Sequence, residues 1–351
     1  MAKVEVSGLT YYPVKSLAGV DLKSAEFSER GLLLDRHWMI VDKNGIFLTQ
    51  RELPNMARIH PQINYNYLVL EAESVKPLIV PLYNLGVETT VEIWGRKYLS
   101  IDDGREAAEW LKDFLGTDCR LVHMSKTTLR EKKLGYGRFE FADSYPLTVV
   151  SQESLEDLNE RIKKRGEQPV SMNRFRPNIV ITGCQPYEED FMALVQINNV
   201  TVHLIKPDVR CRITTVNQEN AKQGKEPLTT LATFRSVRLG EKKRGVIFAQ
   251  KAVNLTRGKI RVEGDNQVEI LARKDVESEQ RLSIADDDAY RVKVYRFTDS
   301  ASAIYNNWIR SGMPLPFVYV KMIGEDGKEA LVHVTEIKDA LDTQIIESLH
   351  P

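Results

Sequence analysis

The chain has 351 residues, and its 49 Lys and Arg are balanced by 49 Asp and Glu, so the formal net charge is zero. That balance gives no support for non-specific nucleic-acid binding, which draws on a basic surface. A hydrophobic content of 42% suits a chain that buries a core, the length suggests two or three domains, and no uninterrupted apolar run approaches the ~18 residues of a membrane span. The N-terminus, MAKVEVSGLTYYPVKS, lacks the apolar core of a signal peptide. Cys119, Cys184 and Cys211 are widely spaced and odd in number, which suits a reducing compartment. A cytoplasmic location without a membrane or nucleic-acid partner is therefore expected.

In chain order, HWMIVD, the turn Lys43-Asn44-Gly45 and IFLT read as a hairpin, because Asn-Gly supplies the positive φ of a tight turn. YLVLEA and TTVEIW are further predicted strands. DDGREAAEWLKDFLG predicts the first helix, with Ala107, Trp110, Leu111 and Phe114 on one face, Asp102 or Asp103 as cap and Gly116 as stop. SQESLEDLNERIKKRG predicts the second, capped by Ser151, with Leu155, Leu158 and Ile162 inward and Gly166 as stop. Strands follow at PNIVITG, ALVQINN, VTVHLIK, CRITTV, RGVIFAQ and IRVEGDNQVEIL. Many short strands with few helices argue for a mostly β, barrel-based assembly. The charged stretch 273–288 reads as a linker. Residues 289–351 read as a small α/β unit: a strand YRVKVYRF, a helix SASAIYNNWIRSG, a hairpin from FVYVKMI through Glu325-Asp326-Gly327 to ALVHVT, and a closing helix TEIKDALDTQIIESL.

Several residues could carry chemistry. Cys211 sits between Arg210 and Arg212, and nearby cations favour the thiolate that binds soft metals; the alternative is a small buried hydrophobe. Lys15 and Ser16, after Pro13, offer a cation and a hydroxyl for an anion, or else a solvated loop. Arg36, in LLLDRHWMIVD, needs a partner if buried: an anionic ligand, or an ion pair with Asp35. His37 could be a base or a structural residue. Arg176 and Asn178, in NRFRPNIVITG, share a side if the strand reaches back through Pro177, and would suit a phosphate or polar heterocycle. Asp143 and Ser144 precede a buried strand, where a carboxylate can read ring N–H groups or cap a turn. The sequence has no CxxC, no GxGxxG, no GxxxxGK[ST] and no histidine pair at metal-binding spacing.

The ordered set YYPVKSLAGV, DRHWMIVD, FLTQRELPNMARI, FADSYPLTVVSQESLEDLN, FRPNIVITG and RCRITTV…EPLTTLATFR resembles the molybdenum-cofactor sulfurase C-terminal (MOSC) proteins that carry an N-terminal MOSC β-barrel domain. Within that family it is most similar to bacterial YcbX-like proteins and the mitochondrial amidoxime-reducing components. The resemblance covers roughly residues 1–272. It implies a β-barrel domain at 1–100 and a molybdenum-cofactor-binding MOSC domain at 101–272. It further implies that Cys211 ligates molybdenum and that Lys15, Ser16, Arg36, Asp143, Ser144, Arg176, Asn178 and Arg210 hold the pterin and its phosphate. Two departures stand out. Bacterial members often read Lys-Pro-Cys-Ser-Arg-Cys where this chain has Lys206-Pro207-Asp208-Val209-Arg210-Cys211. YcbX-like proteins commonly end in a ferredoxin domain with four cysteines, whereas residues 289–351 contain none. Those residues are either a degenerate β-grasp domain or an unrelated α/β module.

The resemblance implies a molybdopterin-dependent oxidoreductase that reduces N-hydroxylated compounds (hydroxylamines, amidoximes, N-hydroxylated bases) in a detoxifying role. Electrons would come from a separate reductase, with no iron–sulfur cluster and no pyridoxal phosphate expected. The alternative is a non-catalytic cofactor-binding or sulfur-carrier module that uses the Cys211 thiol.

Overall fold

The computed structural model describes residues 3–28, 30–83, 86–128, 130, 139–239, 244–262, 268–273, 319–323 and 329–333. Strands dominate, as expected, and the described residues include three α-helices: α1 (Arg105–Leu115), α2 (Gln152–Lys164) and α3 (Leu228–Phe234).

The largest sheet has nine strands. Its order runs Val268–Arg273, Met192–Ile197, Val200–Arg210, Arg244–Asn254, Leu147–Ser151, Ile179–Thr182, Glu5–Tyr11 and Val20–Asp21, with Ser236–Arg238 attached to Arg244–Asn254. Leu147–Ser151 and Ile179–Thr182 pair in parallel, which requires a crossover, and α2 supplies it. The inward face of α2, Leu155, Leu158 and Ile162, packs with Val150, Phe175, Val180 and Phe248. Ser151 caps this helix by accepting from the Ser154 N–H at 3.1 Å. A second sheet holds Trp38–Asp42, Cys119–Met124, Arg96–Asp102 and Val87–Ile93 in that order. Helix α1 covers it, with Ala107 and Leu111 packed among Trp38, Ile40, Cys119 and Leu121.

The N-terminal segment joins these two sheets. Glu5–Tyr11 pairs antiparallel with Ile179–Thr182 in the large sheet. After Pro13 the chain bridges Val14 to Trp38 in the second sheet. The Lys15 N–H donates to Trp38 O at 2.8 Å and the Arg36 N–H donates to Tyr12 O at 2.7 Å. Segments 12–17 and 36–38 are thus laid side by side at the seam, where the sequence had placed two of its candidate cations.

Some local expectations need correction. CRITTV is not a strand: Val200–Arg210 runs on through Pro207, and Arg212–Thr215 closes into a 3-10 turn. The Thr214 and Thr215 hydroxyls donate to the Cys211 and Arg212 carbonyls, at 3.0 and 2.8 Å. Such local side-chain bonds to the backbone outcompete the β preference of the same residues. IRVEGDNQVEIL divides into Gly258–Arg261 and Val268–Arg273, which belong to different sheets. Asp102 and Asp103 do not cap α1: its N-cap is Gly104, and Asp102 instead accepts from Gly104 N and pairs with Arg120. The predicted hairpin near the C-terminus is present as Tyr319–Ile323 paired with Glu329–His333. Arg273, predicted to start the linker, ends the strand Val268–Arg273; the rest of the linker, the Glu325-Asp326-Gly327 turn, YRVKVYRF and the two predicted tail helices lie outside the described residues.

Candidate active site

Three of the candidate residues, Ser16, Arg36 and Arg176, hold positive φ angles of 67°, 52° and 53°. Non-glycine residues reach that region at a cost of roughly 1–3 kcal/mol, and such costs concentrate where function fixes a geometry. Arg176 turns left-handed after the 3-10 segment Met172–Phe175, and the following strand starts only at Ile179. The extended run through Pro177, with Arg176 and Asn178 on one side, is therefore absent. Both residues still converge on Arg36 by another route.

Asn178 is buried, and its amide is fully engaged by the protein. Its Oδ1 accepts from Arg36 Nη1 at 3.0 Å and from Thr148 N at 3.2 Å, and its Nδ2 donates to Thr10 O and Asp35 Oδ1. It holds Arg36 in place. Arg36 also pairs with buried Asp35, so the ion-pair alternative holds for part of its guanidinium. Burial raises the Asp35 carboxyl despite Arg36. The Arg36 and Arg176 guanidinium carbons lie 4.3 and 4.1 Å from the centroid of the Tyr12 ring. Tyr12 is itself buried, which pushes its phenol up to about 12.

Arg176 is the least satisfied of these cations. Its Nη1 donates to Leu17 O at 2.6 Å, while Nη2 is buried with no hydrogen-bond partner. Burial draws its guanidinium down to about 10, with Tyr12 opposing and Arg36 adding to the shift. A buried donor without an acceptor costs about 1–3 kcal/mol, and more when charged.

Lys15 is not a solvated loop lysine, since its side chain is 5% exposed. Its ammonium donates to Phe141 O at 2.9 Å and to Asp143 Oδ1. Burial lowers it to about 8, against the pull of Asp143. Burial alone would raise Asp143, but Lys15, Lys251 and Arg51 together hold its carboxyl well below the ordinary range. The Asp143 side chain remains 42% exposed at the edge of the cluster. Ser144 is half-buried, and Ser16 accepts from Gln50 through its main-chain oxygen at 2.8 Å.

Cys211 follows the strand Val200–Arg210, opens the Arg212–Thr215 turn and is half-buried, unlike Cys119 and Cys184. Burial pushes those two thiols up to about 11 and about 12, so the hydrophobe reading fits them. The cation that meets the Cys211 sulfur is neither flanking arginine. Arg51 Nη2 donates to Sγ at 3.5 Å. Arg210 instead turns to buried Asp208 and donates to Phe175 O at 2.6 Å, while Arg212 donates to Arg51 O at 2.7 Å. Asp208 also meets Lys251 at 3.0 Å, so its charge is neutralised inside the protein rather than presented to a ligand.

Trp94 completes the connection. Its indole N–H donates to Asp143 Oδ1 at 3.2 Å, and the Arg51 guanidinium carbon lies 5.3 Å from the centroid of its ring. A continuous set of contacts thus runs from Lys15 through Asp143, Trp94 and Arg51 to Cys211. Arg51, Trp94 and Tyr12 escaped the sequence reading. YYPVKS and FLTQRELPN contain Tyr12 and Arg51, but neither residue type has a chemical signature outside this three-dimensional setting. His37 lies apart: its Nδ1 is 3.5 Å from Glu140 Oε2, and its ring stacks on His123. An open hollow of about 360 Å³, lined in part by Arg212, Thr215, Lys225 and Thr229, adjoins the Cys211 turn.

Four cations, Lys15, Arg36, Arg51 and Arg176, share this region with two carboxylates, Asp35 and Asp143. The surplus of positive charge, with one buried guanidinium nitrogen unpaired, suits an anionic ligand. Among the described residues no group of three or more His, Cys, Asp or Glu is arranged to hold a metal. A metal at Cys211 would need its remaining ligands from elsewhere.

Comparison with known families gives two matches. The family of the MOSC N-terminal beta barrel domain matches residues 3–118, and that of the MOSC domain matches residues 136–268. The mitochondrial amidoxime-reducing component 1 of Mus musculus is 34% identical over 245 residues, covering 66% of this chain and 71% of that protein. The mitochondrial amidoxime reducing component 2 of Rattus norvegicus is 33% identical over 248 residues, covering 66% and 72%. The molybdenum cofactor sulfurase of Oryza sativa subsp. japonica is 30% identical over 261 residues, covering 67% of this chain but 31% of that protein.

Proposed function

The chain belongs to the MOSC family, with an N-terminal MOSC barrel followed by a MOSC domain, and from that premise we propose that it is a molybdenum-cofactor-dependent reductase of N-hydroxylated compounds. The observation that carries this reading is the joining of a half-exposed cysteine to an under-neutralised cation cluster. A thiolate suits a soft metal, and a cation cluster suits a phosphate-bearing organic ligand. The residues fit the group. Cys211 would supply the protein's thiolate, and the unpaired Arg176 Nη2 would meet anionic oxygen. Lys15 and Arg36 would neutralise further charge. The bound cofactor would supply two-electron oxygen-transfer chemistry.

The protein's own part is binding and orientation. Asn178 and Asp35 fix Arg36, and the buried Tyr12 ring carries the Arg36 and Arg176 guanidinium groups. Asp143 stays ionised, with Lys15 and Trp94 both engaging Oδ1. Among the described residues Oδ2 takes no hydrogen bond, which suits it to accept from a ring N–H. Arg51 holds a positive charge at the Cys211 sulfur. The net reaction takes an N-hydroxy compound, two electrons and two protons to the N–H compound and water. A separate reductase would supply the electrons, and a cytoplasmic location is proposed with it.

The likeness to a molybdenum cofactor sulfurase supports a second reading, in which Cys211 carries sulfur or the protein only holds the cofactor. One experiment separates the two. Cofactor-loaded protein is analysed for molybdenum, then offered benzamidoxime with a reduced dye as electron donor. Reduction that disappears in Cys211→Ser supports the reductase. Stoichiometric metal without turnover supports the holder, and a persulfide on Cys211 after exposure to a cysteine desulfurase supports the carrier.

A further inference from the structure

Trp94 sits at the tip of the hairpin formed by Val87–Ile93 and Arg96–Asp102, where Ile93 pairs with Arg96. Trp94 and Gly95 are its two turn residues, with φ angles of 51° and 76°. Positive φ at both turn positions favours Asn-Gly, so a tryptophan here is conformationally expensive. It is also 56% exposed, although a large aromatic gains most from burial. Neither the turn geometry nor burial therefore favours a tryptophan at this position.

Its surroundings hold the ring in place without covering it. The indole N–H is fixed on Asp143 at 3.2 Å. Phe47 packs in an edge arrangement, with ring centroids 5.0 Å apart and an interplanar angle of 62°. Arg51 approaches the ring and also touches the Cys211 sulfur. The result is a pinned, half-exposed aromatic plate one residue away from the proposed metal ligand.

We propose that Trp94 sets substrate preference, its exposed indole stacking against planar aromatic N-hydroxylated substrates while the reacting N–OH group lies toward Cys211. This inference rests on the reductase reading. Benzamidoxime and acetamidoxime share the reacting group and differ in the π surface that can stack. Offset aromatic pairs gain beyond simple area burial, so the ring should favour the aromatic substrate by roughly threefold to tenfold in kcat/KM.

The test uses full-length, cofactor-loaded protein with Trp94→Phe and Trp94→Ala. Phenylalanine keeps a ring but loses the donor to Asp143; alanine loses both. The ratio of kcat/KM for benzamidoxime to that for acetamidoxime should stay near the starting value in Trp94→Phe and collapse toward unity in Trp94→Ala, mainly through KM. An undiminished ratio in Trp94→Ala overturns the proposal. So does an equal loss for both substrates accompanied by loss of molybdenum, which would make Trp94 a support for the cofactor. If the unaltered protein reduces neither compound, the reductase reading falls, and calorimetric titration with benzamidoxime decides the rest. Binding several-fold weaker in Trp94→Ala sustains an aromatic subsite, and equal binding removes it.

Discussion

Arg51 Nη2 lies 3.5 Å from Cys211 Sγ, across 160 residues of sequence. A charge-assisted hydrogen bond of this type is worth about 1.5–3 kcal/mol. Arg51→Met should therefore loosen the cofactor by about tenfold to a hundredfold while leaving the circular dichroism spectrum intact. Molybdenum retained after gel filtration is the readout, and retention equal to the parent protein would remove Arg51 from the site.

The three cysteines should separate by reactivity. Cys119 and Cys184 are buried with raised thiols, while Cys211 is half-exposed. Limiting iodoacetamide on the native, cofactor-free protein should label Cys211 alone, with the other two labelled after denaturation. Cofactor loading should protect Cys211. Peptide mass spectrometry checks each point, and labelling of Cys119 at a comparable rate would contradict the packing described.

Loss of the cation clamp should be graded. Arg176→Ala removes the guanidinium with the unpaired buried nitrogen, so retention should drop by about 1.5–3 kcal/mol with little loss of fold stability. Arg36→Ala should cost similar affinity but also stability, because it strands Asp35 in the interior. Metal content and urea unfolding, measured on both variants, distinguish the two patterns.

Lys15 predicts a pH dependence. Burial brings its ammonium from an ordinary 10.5 down to about 8, and a bound anion favours the charged form. Affinity of the cofactor-free protein for inorganic sulfate should be level below pH 8 and fall by up to about tenfold per unit above it. Stability has the opposite sign. The unfolded lysine keeps its proton between pH 8 and 10.5 while the folded one releases it, so the empty protein gains stability across that window relative to Lys15→Met. Titration calorimetry and unfolding at several pH values test both signs.

Asp208 is where the chain departs from the bacterial family pattern, and its carboxylate lies between Arg210 and Lys251. Asp208→Ala leaves both cations without it and should destabilise the protein by about 3–5 kcal/mol. A change within 1 kcal/mol in urea unfolding would show that water reaches the pair.

What could be read from the sequence follows the range of the interactions involved. Helices α1 and α2 were legible because their periodicity, the Ser151 cap and the Gly116 stop are local signals. Cys211, Lys15, Arg36 and Arg176 stood out as unusual residue types in strand-flanking positions. Arg51 and Trp94 did not, because each acquires its role from partners far along the chain. The Thr214 and Thr215 pair misled in the other direction: their β preference is real, but their hydroxyls bond back to the turn. Asn178 drew notice as an amide near Arg176, but the sequence does not show that its four hydrogen bonds are all made within the fold.

The seam between the sheets has a consequence for how the protein is made. The strand Glu5–Tyr11 finds its partner only when Ile179–Thr182 has been synthesised. Lys15 must wait 128 residues for Asp143, and Arg51 waits longer still for Cys211. Contacts of such high sequence separation form late and slowly. Lys15, Asp35, Arg36 and Arg51 emerge early, but the cluster is complete only when Asp143, Arg176 and Cys211 have joined them, after most of the polypeptide has left the ribosome. The site residues are therefore brought together only by closure of the large sheet, late in the making of the chain.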